Sequence, residues 1–140
     1  MPFAELPYSL REAIYMLIPE KFFYLLSDET RLRCLLLLQT ESECCVCDFT
    51  YALQKNQPKI SRHLSILKAA NVVLDRRDGA WSYYSLHPDL PAWASRILSV
   101  IFQETAKRYS SDLIRAHERN RAACIKTSQP QENTQKSDRL

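Results

Sequence analysis

Apolar positions recur at helical spacing up to about residue 70, alternate over a short stretch, and then return to helical spacing. Leu10, Ile14, Leu17 and Ile18 predict a first helix over residues 10–18, which Pro19 ends or restarts. A second short helix over residues 20–26 presents Phe22, Phe23, Leu25 and Leu26. Ser27 or Asp28 is placed to cap a third, and Asp28 and Glu29 put negative charge where the helix dipole favours it. This helix runs to about Gln39 and sends Leu32, Leu35, Leu36 and Leu38 inward.

Residues 40–44 read as a polar loop, after which Cys47 or Asp48 caps a short helix ending at Gln54 and burying Phe49, Ala52 and Leu53. Lys55, Asn56 and Gln57 form a turn, and Pro58 takes the first position of a helix over residues 58–70. Ile60, Leu64 and Leu67 make one narrow apolar stripe on it, and Arg62 points away from that stripe, flanked by Lys59, Ser61 and Ser65. Two helices joined by a three-residue turn match a helix-turn-helix.

Residues 72–76 and 81–86 are rich in β-branched and aromatic residues, and Asp78-Gly79 between them predicts a type I′ hairpin turn. The hairpin follows the helix-turn-helix directly and so reads as a wing, with Arg76 and Arg77 near its tip. One long helix is expected from Asp89 to about Arg121. Its apolar residues (Trp93, Ile97, Val100, Ile101, Tyr109, Leu113 and Ile114) exceed what a small domain needs inside, which predicts a dimerisation helix. The expected architecture is mainly α with a β-hairpin, a dimeric winged helix-turn-helix with N- and C-terminal dimerisation helices. Residues 1–124 form the folded domain, and residues 125–140 are read as a disordered polar tail.

At 140 residues, 46% hydrophobic and 25% charged, the chain has the profile of one globular domain. No apolar run reaches the roughly 18 residues of a membrane span. The N-terminus lacks the basic start and apolar stretch of a secretory signal, so a cytoplasmic location is expected. The net charge of +3 identifies no partner, but its distribution is informative. No Asp or Glu occurs from Phe49 through Leu74, whereas Lys55, Lys59, Arg62 and Lys68 all do. A basic face of this kind fits nucleic acid. On it Arg62, with Ser61 and Ser65, is the candidate for base edges, Lys59 and Lys68 with Arg76 and Arg77 of the wing are candidates for phosphates, and Gln57 is a further candidate DNA contact. His63, at the edge of the apolar stripe, is a candidate phosphate contact or a locally packed side chain.

The five cysteines are Cys34, Cys44, Cys45, Cys47 and Cys124, and three of them fall within four positions. Such crowding cannot staple distant parts of a fold and points to metal binding or redox chemistry. At a helix N-terminus the dipole is expected to lower a thiol pKa, and thiolates select soft ions. Cys45 and Cys47 are the candidate ligand pair and Cys44 the candidate third, with Cys34, Cys124, water or a small thiol as alternatives. A redox sensor joining two of these cysteines is the rival reading. A thiol enzyme would need a substrate pocket and a base, and neither is visible in the sequence.

Five stretches carry a family resemblance. They are Leu26-Ser27-Asp28-Glu29-Thr30-Arg31-Leu32-Arg33, Cys45-Val46-Cys47-Asp48, Gln57-Pro58-Lys59-Ile60-Ser61-Arg62-His63-Leu64, Leu74-Asp75-Arg76-Arg77 and Pro91-Ala92-Trp93-Ala94. On these the chain resembles the ArsR/SmtB winged-helix metalloregulators, and within them the arsenical-responsive repressors. The resemblance implies a homodimeric repressor bound to an inverted repeat in double-stranded operator DNA. It also implies release when trivalent arsenic (arsenite) or antimony binds the thiolates, with no cofactor needed for DNA binding and no enzymatic activity. Similar repressors often carry a third cysteine where this chain has Thr50. The group's other common metal site is unmatched, since Pro91 stands two positions after Asp89 where a histidine is expected. Cadmium or lead sensing is a further alternative.

Overall fold

The structure is a computed structural model that describes residues 2–10 and 17–127, with side chains followed as far as Asn120. Its elements, in chain order, are α1 (Pro19–Leu26), α2 (Glu29–Thr40), β1 (Cys44–Cys45), α3 (Val46–Leu53), α4 (Gln57–Ala69), β2 (Val73–Asp78), β3 (Trp81–Leu86), α5 (Ala92–Thr105) and α6 (Ser110–Thr127). The helix expected over residues 10–18 and the polar tail beyond Thr127 fall largely outside the described residues.

Asp28 starts α2, its Oδ1 accepting the Arg31 N–H at 3.0 Å. Leu35, Leu36, Leu37 and Leu38 are all buried, so α2 is enclosed on nearly every side and forms the centre of the core. Leu32 is only half-buried, and Cys34 is fully enclosed. Asn56 caps α4 through a 2.9 Å bond from the Lys59 N–H, so α4 begins at Gln57 and Pro58 is its second residue rather than its first. Asn71 ends α4 at φ 55°, with Val72 N–H donating to Leu67 O and Asn71 N–H to Lys68 O, both at 3.0 Å. This is a Schellman closure, and the buried Val72 and Leu67 supply its apolar contact. Ile60, Leu64 and Leu67 are fully buried, as the stripe predicts.

The sheet departs from the expected hairpin in two ways. It has three antiparallel strands in the order β1-β3-β2, with Cys44 opposite Tyr84 and Cys45 opposite Tyr83. The end of the expected polar loop is therefore a short strand. In addition, Asp78 pairs with Trp81, so the two-residue turn is Gly79-Ala80. Only Gly79 has positive φ there (58°), which is the pattern of a type II′ turn rather than type I′.

The expected single terminal helix is two helices. The chain turns through residues 106–109, closed by Arg108 N–H to Thr105 O at 2.9 Å and Ser110 Oγ to Lys107 O at 2.9 Å. α5 lies on α2, with Trp93 edge-on to Phe22 at 5.5 Å between ring centres. α6 lies on α2 and α3, where Asp112 receives both arms of the Arg33 guanidinium at 2.6 and 2.8 Å. That ion pair fastens the second half of the predicted helix to α2.

Candidate thiol site and nucleic-acid interface

Consecutive side chains on a strand leave on opposite faces. Cys44 and Cys45 are the two residues of β1, so they separate. Cys44 joins the core at 0% exposure, as Cys34 does. Cys45 is the N-cap of α3, and Cys47 is half-buried in its first turn. The cap expected at Cys47 or Asp48 is thus at Cys45. Cys45 Sγ accepts from the Asp48 N–H, and Asp48 Oδ2 accepts the Cys45 N–H at 2.9 Å. This is a capping box with a thiol in the place of a hydroxyl. Thr50, at the position of the missing third cysteine, turns its hydroxyl back to Cys47 O at 2.8 Å.

The expected Cys44-Cys45-Cys47 trio is not brought together. Among the described residues no three His, Cys, Asp or Glu side chains gather into a metal-binding cluster. At Cys45 the acidity also runs opposite to the dipole expectation. Burial pushes Cys34 up to about 12 and raises Cys44 as well. Burial raises Cys45 too, assisted by the Asp48 carboxylate beside its sulfur. Desolvation outweighs the dipole of an eight-residue helix.

The basic face belongs to α4. Gln57, Arg62 and Ser65 are exposed, and Lys59 and Ser61 are partly so. Lys68 is exposed and paired with Asp75 at 2.9 Å. In the wing, Arg76 pairs with Glu43 at 3.0 Å and lies 4.9 Å from the Tyr83 ring centre, whereas Arg77 is exposed. Both pairs are on the surface, where ion pairs are weak and readily exchanged for phosphate.

His63 does not share this face. It is 4% exposed, and its Nδ1 accepts from Arg31 Nη1 at 3.4 Å. Nε2 lies 3.8 Å from Asp28 Oδ1. Arg31 is itself buried and donates to Leu25 O at 2.9 Å and Tyr24 O at 3.2 Å. The carbonyls satisfy its donors but leave its charge, so burial first and the neighbouring Arg31 cation after it hold the His63 pKa below the usual histidine range, against the pull of Asp28. Arg31, Arg33, Asp112 and Arg119 all have roles that periodicity did not reveal. For Asp48 a signal existed, because an acid three residues after Cys45 is the capping-box spacing.

The model of the family described as "Bacterial regulatory protein, arsR family" matches residues 28–74. The arsenic resistance transcriptional regulator ArsR1 of Pseudomonas putida is 44% identical over 103 residues, which is 74% of this chain and 80% of that protein. The arsenical resistance operon repressor of Escherichia coli K12 is also 44% identical, over 76% of this chain and 86% of its own length. Among solved structures, HlyU from Vibrio cholerae shares the fold at TM-score 0.55 and 18% identity, covering 72% of this chain and 99% of that one. The relatives are transcription regulators, not enzymes, and no helix among the described residues is long and apolar enough to cross a membrane. The helix-turn-helix, the wing and these matches together place the chain in the arsR family of winged-helix DNA-binding regulators.

Proposed function

We propose that the chain is a homodimeric repressor of arsenic or antimony resistance genes, released from operator DNA when a trivalent metalloid takes Cys45 and Cys47 as ligands. One observation carries this reading. The sulfur of Cys45 is part of the cap that starts the first helix of the helix-turn-helix. Cys45 caps α3 from extended backbone, and Cys47 stands two residues on in the first turn. Sharing one ion therefore draws both sulfurs out of their resting directions and opens the cap. Capping and ion binding compete for the same sulfur, so the ion's binding energy is spent on the helix that supports α4. The donor set fits a soft ion to the extent of two thiols, and the third ligand comes from water, a small thiol or another cysteine, not from Cys44 in its buried position.

Homodimerisation is supported by what the single chain leaves uncovered. Phe23 is 55% exposed, Tyr24 60%, Val100 57% and Ile114 56%, all on α1, α5 or α6. In this reading Arg62 with Ser61, Ser65 and Gln57 meets base edges. Lys59, Lys68, Arg76 and Arg77 meet phosphates, and His63 stays inside as the support of α4.

The test is fluorescence anisotropy on labelled operator DNA, titrated with arsenite. Cys45→Ser and Cys47→Ser should bind DNA like the parent yet fail to release, because a hydroxyl is a poor ligand for a soft ion. Normal release by the double variant refutes the site. Release by peroxide but not by arsenite replaces it with a redox switch.

A further inference from the structure

α6 grips α3 at both ends. At the C-terminal end Arg115 Nε donates to Ala52 O at 2.8 Å, next to the bond at 3.0 Å that Arg33 Nη2 of α2 gives Leu53 O. These bonds satisfy carbonyls that the last turn of a helix leaves open. At the N-terminal end Arg119 Nε donates to Asp48 Oδ1 at 2.6 Å, and its guanidinium lies 5.6 Å from the Tyr51 ring centre. The other oxygen of the same carboxylate holds the Cys45 N–H. Asp48 therefore stands between a thiol residue and a helix that lies elsewhere than the DNA-facing surface. Its side chain is 14% exposed and that of Arg119 is 38%, so the pair is partly shielded and short. A neighbouring bond, Asn120 Nδ2 to Glu41 Oε2 at 2.6 Å, fastens α6 to the segment just before Cys44.

We infer that Arg119 is a positioning residue for the proposed switch: through Asp48 it ties the cap formed by Cys45 to α6, so that opening the cap loosens the terminal helix. This rests on the reading of Cys45 and Cys47 as the metalloid ligands. When Cys45 Sγ leaves the Asp48 N–H, the Cys45 N–H is pulled off Oδ2. Asp48 either follows Cys45 and abandons Arg119, or stays with Arg119 and leaves α3 uncapped. Both routes end the state in which α3 and α6 are fastened at their thiol end. In a dimer with α6 near its interface, that fastening sets where the two α4 helices stand relative to each other.

The experiment uses full-length Arg119→Gln, Arg119→Lys and Asp48→Asn. Asp48→Asn retains a carbonyl oxygen for the Cys45 N–H and loses only the charge partner of Arg119. Three quantities are measured: operator affinity with and without arsenite, near-ultraviolet absorption of sulfur-bound arsenic, and exchange of the Cys45 amide hydrogen without arsenite. The parent ratio of affinities without and with arsenite should lie within about 5–150-fold. Arg119→Gln and Asp48→Asn should bring it to within about threefold of unity, a residue of the same coupling. Arsenic absorption should be undiminished, Cys45 exchange should be faster in Arg119→Gln, and Arg119→Lys should keep part of the ratio. A parent-like ratio in Arg119→Gln overturns the inference, and so does loss of its arsenic absorption, which would make Arg119 part of the ligand site. A parent protein that shows no arsenic absorption overturns the underlying functional reading instead, so the two failures are distinct.

Discussion

Replacing Asp112 with alanine tests what folds α6 back onto the helix-turn-helix. The carboxylate is 6% exposed and receives three bonds: two from Arg33, at 2.6 and 2.8 Å, and one from Arg115 at 3.0 Å. Arg33 is itself only 12% exposed. Without Asp112 its guanidinium keeps Leu53 O and a 3.5 Å contact to Glu29, whose carboxylate is largely in water. Removing one partner of a buried pair costs about 3–5 kcal/mol, because the other charge is left desolvated. The retained carbonyl puts this site at the low end, about 3 kcal/mol. A domain of this size loses roughly 3–4 °C of Tm per kcal/mol, so melting by circular dichroism should fall by about 10 °C. The paired replacement Arg33→Met with Asp112→Leu removes both charges and should recover most of that loss. If Asp112→Ala melts within about 2 °C of the parent, corresponding to well under 1 kcal/mol, the ion pair does not hold α6.

Three further outcomes are expected. Arg62→Ala should weaken operator binding by about 1–3 kcal/mol and relax sequence preference, whereas Arg77→Ala should weaken all sequences alike and flatten the salt dependence; unchanged operator affinity in Arg62→Ala removes α4 from the groove. Burial, with Arg31 close by and only Asp28 opposing, holds the His63 pKa down in the folded chain. The unfolded chain then takes up the proton first, and stability falls as pH drops from about 6.5 towards the depressed folded value. Thermal melts from pH 8 to pH 5 should show that slope in the parent and lose it in His63→Gln; equal slopes contradict the assignment. Sedimentation at micromolar concentration should give a symmetric dimer, and a stable monomer would rule out the reading of the exposed residues on α1, α5 and α6 as an interface.

The parts of the fold that were legible are those written in neighbouring residues. The Ile60, Leu64 and Leu67 stripe, the Asp28 cap and the alternation on either side of Gly79 are local patterns, and each became the element it predicts. What escaped depends on partners far along the chain. β1 is two residues long and exists because Tyr83 and Tyr84 lie opposite it, so no propensity marks it. That strand decides the fate of Cys44, which the cysteine count treats as equivalent to its neighbours. The break between α5 and α6 falls among Ala106, Lys107, Arg108 and Tyr109, with neither glycine nor proline to announce it. Past it, Asp112 meets Arg33 across 79 positions, a contact no local pattern records. His63 sits beside the basic residues in sequence, yet Arg31 gives it a hydrogen bond and a place inside. The sequence placed Cys45 beside a helix start but did not reveal the direction of its acidity, because burial acts from all sides and the dipole from one.

The pairing of β1 with β3 bears on how the sheet avoids joining other chains. A free hairpin offers two open edges to any other extended chain. Here Cys44 and Cys45 cover the middle of one edge, leaving β2 as the long open side. From its third residue onward that side reads Asp75, Arg76, Arg77, Asp78, four charged residues in succession, and a second strand could join it only by stripping water from those that are exposed. The arginines of the wing thus guard a sheet edge independently of any contact with DNA, and replacing both with apolar residues should promote aggregation.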